Sequence, residues 1–130
     1  VVDDVVVRVD PRSGEVLDEI VVGTSPTAMA AGEGALWVAN FAGDTVTRVD
    51  PTTGATETIP VGRRPNGIAV GEGFVWVTSA ADDEVAIINP GRNRVVGRIS
   101  VGDQPQGVAV GFGSVWVVNQ NDGTVTRIEL

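Results

Sequence analysis

The sequence contains no cysteine, histidine, tyrosine or lysine. The absence of cysteine removes disulfides, thiolate metal sites and cysteine nucleophiles. It leaves the redox compartment open, since a disulfide-free protein survives on either side of a membrane. With histidine, tyrosine and lysine also missing, most common general bases and activated nucleophiles are gone, and only carboxylates, hydroxyls and arginines remain. Nine arginines face 17 acidic residues, for a formal net charge of −8. Nucleic acid and anionic lipid lose their usual electrostatic attraction to such a chain, so neither is expected as a partner. No apolar run approaches the roughly 20 residues of a membrane-spanning helix. The opening VVDDVVVRVD carries no basic start, no long apolar stretch and no initiator Met, so a targeting segment is expected to be absent or already removed.

What is present is a folding composition. Hydrophobic residues make up 42% of the 130 residues and charged ones 20%, which excludes disorder. No composition shift or linker divides the chain, so one structural unit is expected. Seventeen Gly, seven Pro and an apolar set dominated by Val favour short strands joined by tight turns. The chain also repeats itself. Gly23, Gly62 and Gly102 open the same phrase, Pro26, Pro65 and Pro105 follow three residues later, and Trp37, Trp76 and Trp116 keep step, for a period of 39 and then 40 residues. The aligned segments are GTSPTAMAAGEGALWVAN, GRRPNGIAVGEGFVWVTS and GDQPQGVAVGFGSVWVVN, followed by DTVTRVDP, DEVAIINP and GTVTRIEL. A fixed period of this length marks a repeat architecture.

Turn residues divide each unit into four runs of strand length, the pattern of a four-stranded β-propeller blade. In the middle unit the runs are 66–70, 75–79, 84–89 and 95–101. The first two are joined by Gly71, Glu72 and Gly73, a hairpin turn. The last two are joined by Asn89, Pro90 and Gly91, where proline presets φ and glycine or asparagine closes the turn, as with Asp10-Pro11 and Gly14 or Asp50-Pro51 and Gly54. Runs such as VVVRV and VAIIN are apolar on both faces, so both faces are expected to be covered by stacked neighbours. The tryptophans are expected to fill the gaps between adjacent sheets.

The segment VWVTSAADDEVAIINPGRNRVVGRISVG, residues 75–102, resembles the YVTN-repeat group of β-propellers, with VWVT standing at that family's naming tetrad. The phrase GxxPxxxAxGxGxxWV is similar to the repeats of virginiamycin B lyase-type propellers. The resemblance covers essentially the whole chain and implies the fold. Those lyases are seven-bladed and depend on a catalytic histidine, so their activity does not carry over to a chain without one. The resemblance also implies an extracytoplasmic location, which the residues themselves do not address.

The chain opens on a third-strand pattern, 5–10, and closes on another, 124–128, for thirteen strands in all. The expected organisation is all-β: residues 1–23 as the last half of a blade, 24–62 and 63–102 as whole blades, and 103–130 as the first three strands of another. Three blades per chain leave two apolar blade faces in water, since propellers close with about four to eight blades. Self-association of two copies into a six-bladed ring is one expected solution, with the duplicated third strand competing with itself. The alternative is a piece of a longer array.

No catalytic residue, metal or cofactor is expected. Asp3-Asp4 and Asp82-Asp83 lie where turns place solvated carboxylates, and Ser25, Ser79, Ser100 and Ser114 have no histidine to activate them. The loop from Asn119 to Gly123 lacks the spacing and the closing glutamate of a calcium loop. Binding remains. The loops leading into each blade and those between its second and third strands share one rim, and they hold the least repeated positions. The lead-in loops carry Thr24, Ser25 and Thr27, then Arg63, Arg64 and Asn66, then Asp103, Gln104 and Gln106. The opposing loops carry Phe41 and Asp44, then Asp82 and Asp83, then Gln120 and Asn121. The Arg63-Arg64 pair suits an anionic ligand or a partner carboxylate, with a plain solvated turn or a contact with nearby Asp residues as the alternatives. The leading expectation is a noncatalytic scaffold presenting this polar rim to a protein, peptide or small ligand. Two alternatives stand beside it: a lyase- or hydrolase-like fragment whose active site needs further blades, and a fragment of interest for the assembly of a closed ring.

Overall fold

The computed structural model describes residues 4–130. Thirteen strands and no helix are found among the described residues. The first sheet pairs β1 (Val5–Val9) with β2 (Val16–Val21). The second runs β3 (Pro26–Gly32), β4 (Ala35–Asn40), β5 (Thr45–Val49), β6 (Thr56–Pro60). The third repeats that order with β7 (Pro65–Gly71), β8 (Phe74–Ser79), β9 (Glu84–Asn89) and β10 (Arg94–Ser100). The fourth has β11 (Pro105–Gly111), β12 (Ser114–Asn119) and β13 (Thr124–Glu129). Every pairing joins antiparallel neighbours in sequence.

The turns follow from residue type. The β7–β8 hairpin holds Glu72 at φ +55° and Gly73 at +81°, and Glu33-Gly34 and Phe112-Gly113 repeat that pair of positive angles. A two-residue loop with both φ positive matches the twist of the strands it joins. The turns from third to fourth strand span five residues. Their first side chain, Asp10, Asp50 or Asn89, accepts two following backbone N–H groups through one oxygen. Positive φ falls on Gly14, Gly54 and Asn93. In the third sheet the residue that closes the turn is therefore Asn93, which tolerates the left-handed region, and not Gly91.

The core lies between sheets. Trp37, Val46 and Ile59 of the second sheet meet Ile68, Val75 and Val77 of the third. Trp76 and Val85 of the third meet Val115 and Val117 of the fourth, and Val6 of the first meets Val38 and Val49 of the second. Fully burying one such side chain contributes about 1.5–3 kcal/mol. Each indole N–H donates to a carbonyl of its own hairpin: Trp37 to Gly32, Trp76 to Gly71 and Trp116 to Gly111, at 3.0, 3.1 and 3.0 Å. Trp37 and Trp76 are buried between sheets, whereas Trp116 is half-buried on the fourth.

Close backbone approach explains the invariant spacing better than backbone freedom does. A Cβ on Gly23 would stand 2.6 Å from Asn40 Nδ2, and one on Gly102 would stand 2.6 Å from Asn119 Cγ. On the innermost strands a Cβ at Gly67 would run into the carbonyl oxygen of Gln106 in the next sheet, where Thr78 Oγ1 also donates at 2.7 Å. The equivalent Gly107 would meet only Val118 Cγ2, at 3.8 Å. Gly67→Ala is therefore expected to destabilise the fold by about 1–3 kcal/mol. Gly107→Ala should stay within about 0.5 kcal/mol of neutral. Urea unfolding midpoints compare the two, and equal shifts would contradict this account of sheet spacing.

Candidate functional site

The rim is built from two sets of loops. Residues 23–25, 62–64 and 102–104 lead into a sheet, and residues 41–44, 80–83 and 120–123 join its second and third strands. Hydrogen bonds tie each pair together. The carbonyl oxygens of Ser25, Arg64 and Gln104 accept from the N–H of Phe41, Ala80 and Gln120, at 2.8, 2.9 and 3.0 Å. On the other side, the N–H groups of the same three residues donate to carboxylates of the preceding sheet: Asp4 at 3.1 Å, Asp44 at 2.9 Å and Asp83 at 2.9 Å. Held from both sides, Ser25, Arg64 and Gln104 share φ of +56°, +55° and +53°.

These carboxylate clamps were not foreseen in the sequence, where Asp4 and Asp83 read as solvated turn residues and Asp44 and Asp83 as rim positions open to a ligand. Asp4, Asp44 and Asp83 nevertheless recur in phase with the repeat, which was the available signal. Asp3 lies outside the described residues. A second clamp acts within a sheet. Asp82 Oδ2 accepts the Arg63 N–H at 2.7 Å and Asp122 Oδ2 accepts the Asp103 N–H at 2.8 Å. Asp82 Oδ1 also accepts from Arg63 Nε at 2.8 Å. The backbone N–H and the side chain of Arg63 together hold the Asp82 carboxyl below the ordinary carboxylate range, and Asp82 in turn raises the Arg63 guanidinium.

The structure gathers the sequence candidates into two patches. Phe41, Asp44, Arg63 and Arg64 line one groove with Ala42 and Ala81. The Arg64 guanidinium carbon lies 5.9 Å from the centre of the Phe41 ring, a cation–π arrangement. The second patch is amide-rich. Gln106 Nε2 donates to Gln120 Oε1, the Gln104 N–H is clamped by Asp83, and the Asn121 N–H donates to the Asp103 carbonyl. Asn66, half-buried on β7, is not among the residues lining the groove.

Asn119 serves the fold: it is fully buried, its Oδ1 accepts from Gly102, and its Nδ2 donates to Thr124 and Thr126. No cluster of three or more His, Cys, Asp or Glu is arranged for a metal ion among the described residues.

Because the folded pKa of Asp82 is depressed, its clamp stabilises above the unfolded carboxylate pKa of about 3.9. That contribution is lost as pH falls through the lowered folded value. Asp82→Ala should lower Tm at neutral pH, and the gap to the parent should shrink as pH is taken below about 4. Paired thermal melts across that range check this, and a gap independent of pH would rule the ionic clamp out.

No protein-family model matches the sequence, and no curated protein matches it. Solved structures do. A structure of streptogramin B lyase aligns with a TM-score of 0.83 at 22% identity, over 98% of this chain and 45% of the other. A functionally unknown protein from Desulfotomaculum acetoxidans aligns at 0.72 and 16%, over 93% of this chain and 46% of the other. The computationally designed protein Ika4 aligns at 0.82 and 14%, over 98% of this chain and 80% of the other. The chain thus spans less than half of the two natural proteins. At these identities the likeness concerns the fold alone, and that fold is propeller-like.

Proposed function

We propose that the chain is a noncatalytic propeller module whose sheets act as blades and whose rim presents variable side chains to a protein, peptide or small ligand. One observation carries this. The peptide at Ser25, Arg64 and Gln104 is bonded from both sides in every repeat, while the side chain it presents changes from hydroxyl to guanidinium to amide. Rigid support with changing chemistry is the arrangement of a recognition surface. The absence of histidine, cysteine, lysine and tyrosine weighs against the enzyme alternative.

Thermal-shift screening of small molecules and peptides provides the test, repeated on a rim variant (Arg63→Ala with Arg64→Ala and Gln104→Ala) and on a variant of the opposite end (Glu33→Ala with Glu72→Ala). Stabilising compounds should lose their effect on the first and keep it on the second. Turnover of a compound, or a stoichiometric bound metal ion, would overturn the noncatalytic reading.

A second reading concerns assembly. Val7, Val9 and Val21 of the first sheet are 46%, 45% and 72% exposed, and Val118 and Val125 of the fourth are 50% and 61% exposed. Among the described residues nothing covers them. A cleft lined in part by Val6, Ile20, Met29, Leu36 and Val49 opens between the first and second sheets. If the first sheet of one copy completes the three-stranded fourth sheet of the other, with β2 as its outer strand and β1 displaced, two copies close a six-bladed ring in which both ends are covered. Sedimentation velocity over a hundredfold concentration range should find a dimer. A monomer throughout would assign the cover to a further stretch of chain.

A further inference from the structure

We infer that the groove between the second and third sheets binds a carboxylate carried on an aromatic or similarly flat apolar body. This rests on the rim-binding reading above and names the ligand class for one of its grooves. The molecule holds its own control. At the junctions of the second with the third sheet and of the third with the fourth, the second-to-third-strand loop of one sheet lies against the lead-in loop of the next. Between the second and third sheets those loops supply Phe41 and Ala42 opposite Arg63 and Arg64. Between the third and fourth, the same positions hold Ala80 and Ala81 opposite Asp103 and Gln104. One groove has an aromatic face and two guanidinium groups, while its neighbour has two methyl groups, an acid and an amide.

The donors are uncommitted. The Arg63 side chain bonds Asp82 through Nε alone, and its two Nη groups form no hydrogen bond among the described residues. The Arg64 side chain forms no hydrogen bond or ion pair among the described residues. It leans over Phe41, and only its backbone N–H is taken by Asp44. A guanidinium presents five N–H donors in a planar fork that fits a carboxylate two at a time. The Phe41 ring and the Ala42 and Ala81 methyl groups offer an apolar seat beside that fork. The charge balance selects a monoanion: Asp44 and Asp82 border the two arginines, so a dianionic phosphate meets more repulsion than a carboxylate does. At ≈ 630 Å³, the groove has the size of a small-molecule site, about 300–1,000 Å³.

Benzoate is the probe, with acetate and inorganic phosphate as comparison ligands, followed by resonances of the backbone amides and of arginine Nε–H. The variants are those the repeat itself carries. Arg64→Gln reproduces Gln104, which holds the same backbone angle, and Phe41→Ala reproduces Ala80, so neither disturbs the clamps. Benzoate should shift residues 41, 42, 63 and 64, leave 103 and 104 unmoved, and bind more tightly than acetate or phosphate. Arg64→Gln should weaken benzoate by roughly tenfold or more, and Phe41→Ala should reduce benzoate to the level of acetate. Equal response in the two grooves, undiminished binding to Arg64→Gln, or tighter binding of phosphate would each overturn the inference. If the benzoate arm fails while other ligands still lose binding on the rim variant, only the ligand class falls. If both fail, the rim reading falls with it.

Discussion

Each sheet in this protein is apolar on two faces, and that constraint governs the rest. Val75 and Val77 on β8 point toward the second sheet, while Trp76 between them points toward the fourth. A sheet with such a strand at its centre exposes one face or the other unless neighbours cover both. Stability therefore belongs to the contacts between sheets more than to any one sheet, as in other repeat arrays. The contacts are close because glycine permits it. A Cβ on Gly32 would stand 2.7 Å from Val70 Cγ1, and one on Gly71 would stand 2.6 Å from Val110 Cγ1, each in the following sheet.

Once the sheets are stacked, their rim loops come within reach of one another, and the polar chemistry follows. The clamping carboxylates accept backbone N–H groups of the neighbouring lead-in loop and so tie one sheet to the next. They stiffen that junction and leave the side chains free. Thr78 plays a comparable part between the third and fourth sheets, accepting from the Gly67 N–H at 2.8 Å while donating to the Gln106 carbonyl at 2.7 Å. Polar groups thus set the registration between sheets whose apolar faces alone would tolerate some sliding.

Departures from the repeat are where individual character arises. Gly43 stands where the later repeats have Asp82 and Asp122, so the second sheet lacks the internal clamp, and the same loop carries Phe41 into the groove. Arg48 and Arg127 stand over Trp37 and Trp116, each 5.5 Å from ring centre, where the third sheet has Ile87. Phe112 occupies a positive-φ turn position that is glutamate in the other two hairpins, and it is 98% exposed. None of these changes alters the strand order, because the period, the turns and the inward-facing valines are untouched.

The fold was legible in the sequence because its causes are local or periodic. Strand length, turn chemistry and the 39- to 40-residue spacing of Gly, Pro and Trp specify strands, hairpins and stacking without reference to distant contacts, and the thirteen strands and absence of helices among the described residues follow from them. The sharing of one rim by two sets of loops was also legible, since it follows from strand alternation. What the sequence did not disclose was which side chains on that rim are occupied and which are free. Asp82 is taken by the backbone N–H and Nε of Arg63, whose Nη groups stay free among the described residues, Asp83 and Asp44 are bound to backbone of the next sheet, and Arg64 is left over an aromatic ring. Those outcomes depend on ångström-scale distances between residues about 20 positions apart, and only the stacking of one sheet on the next sets such distances.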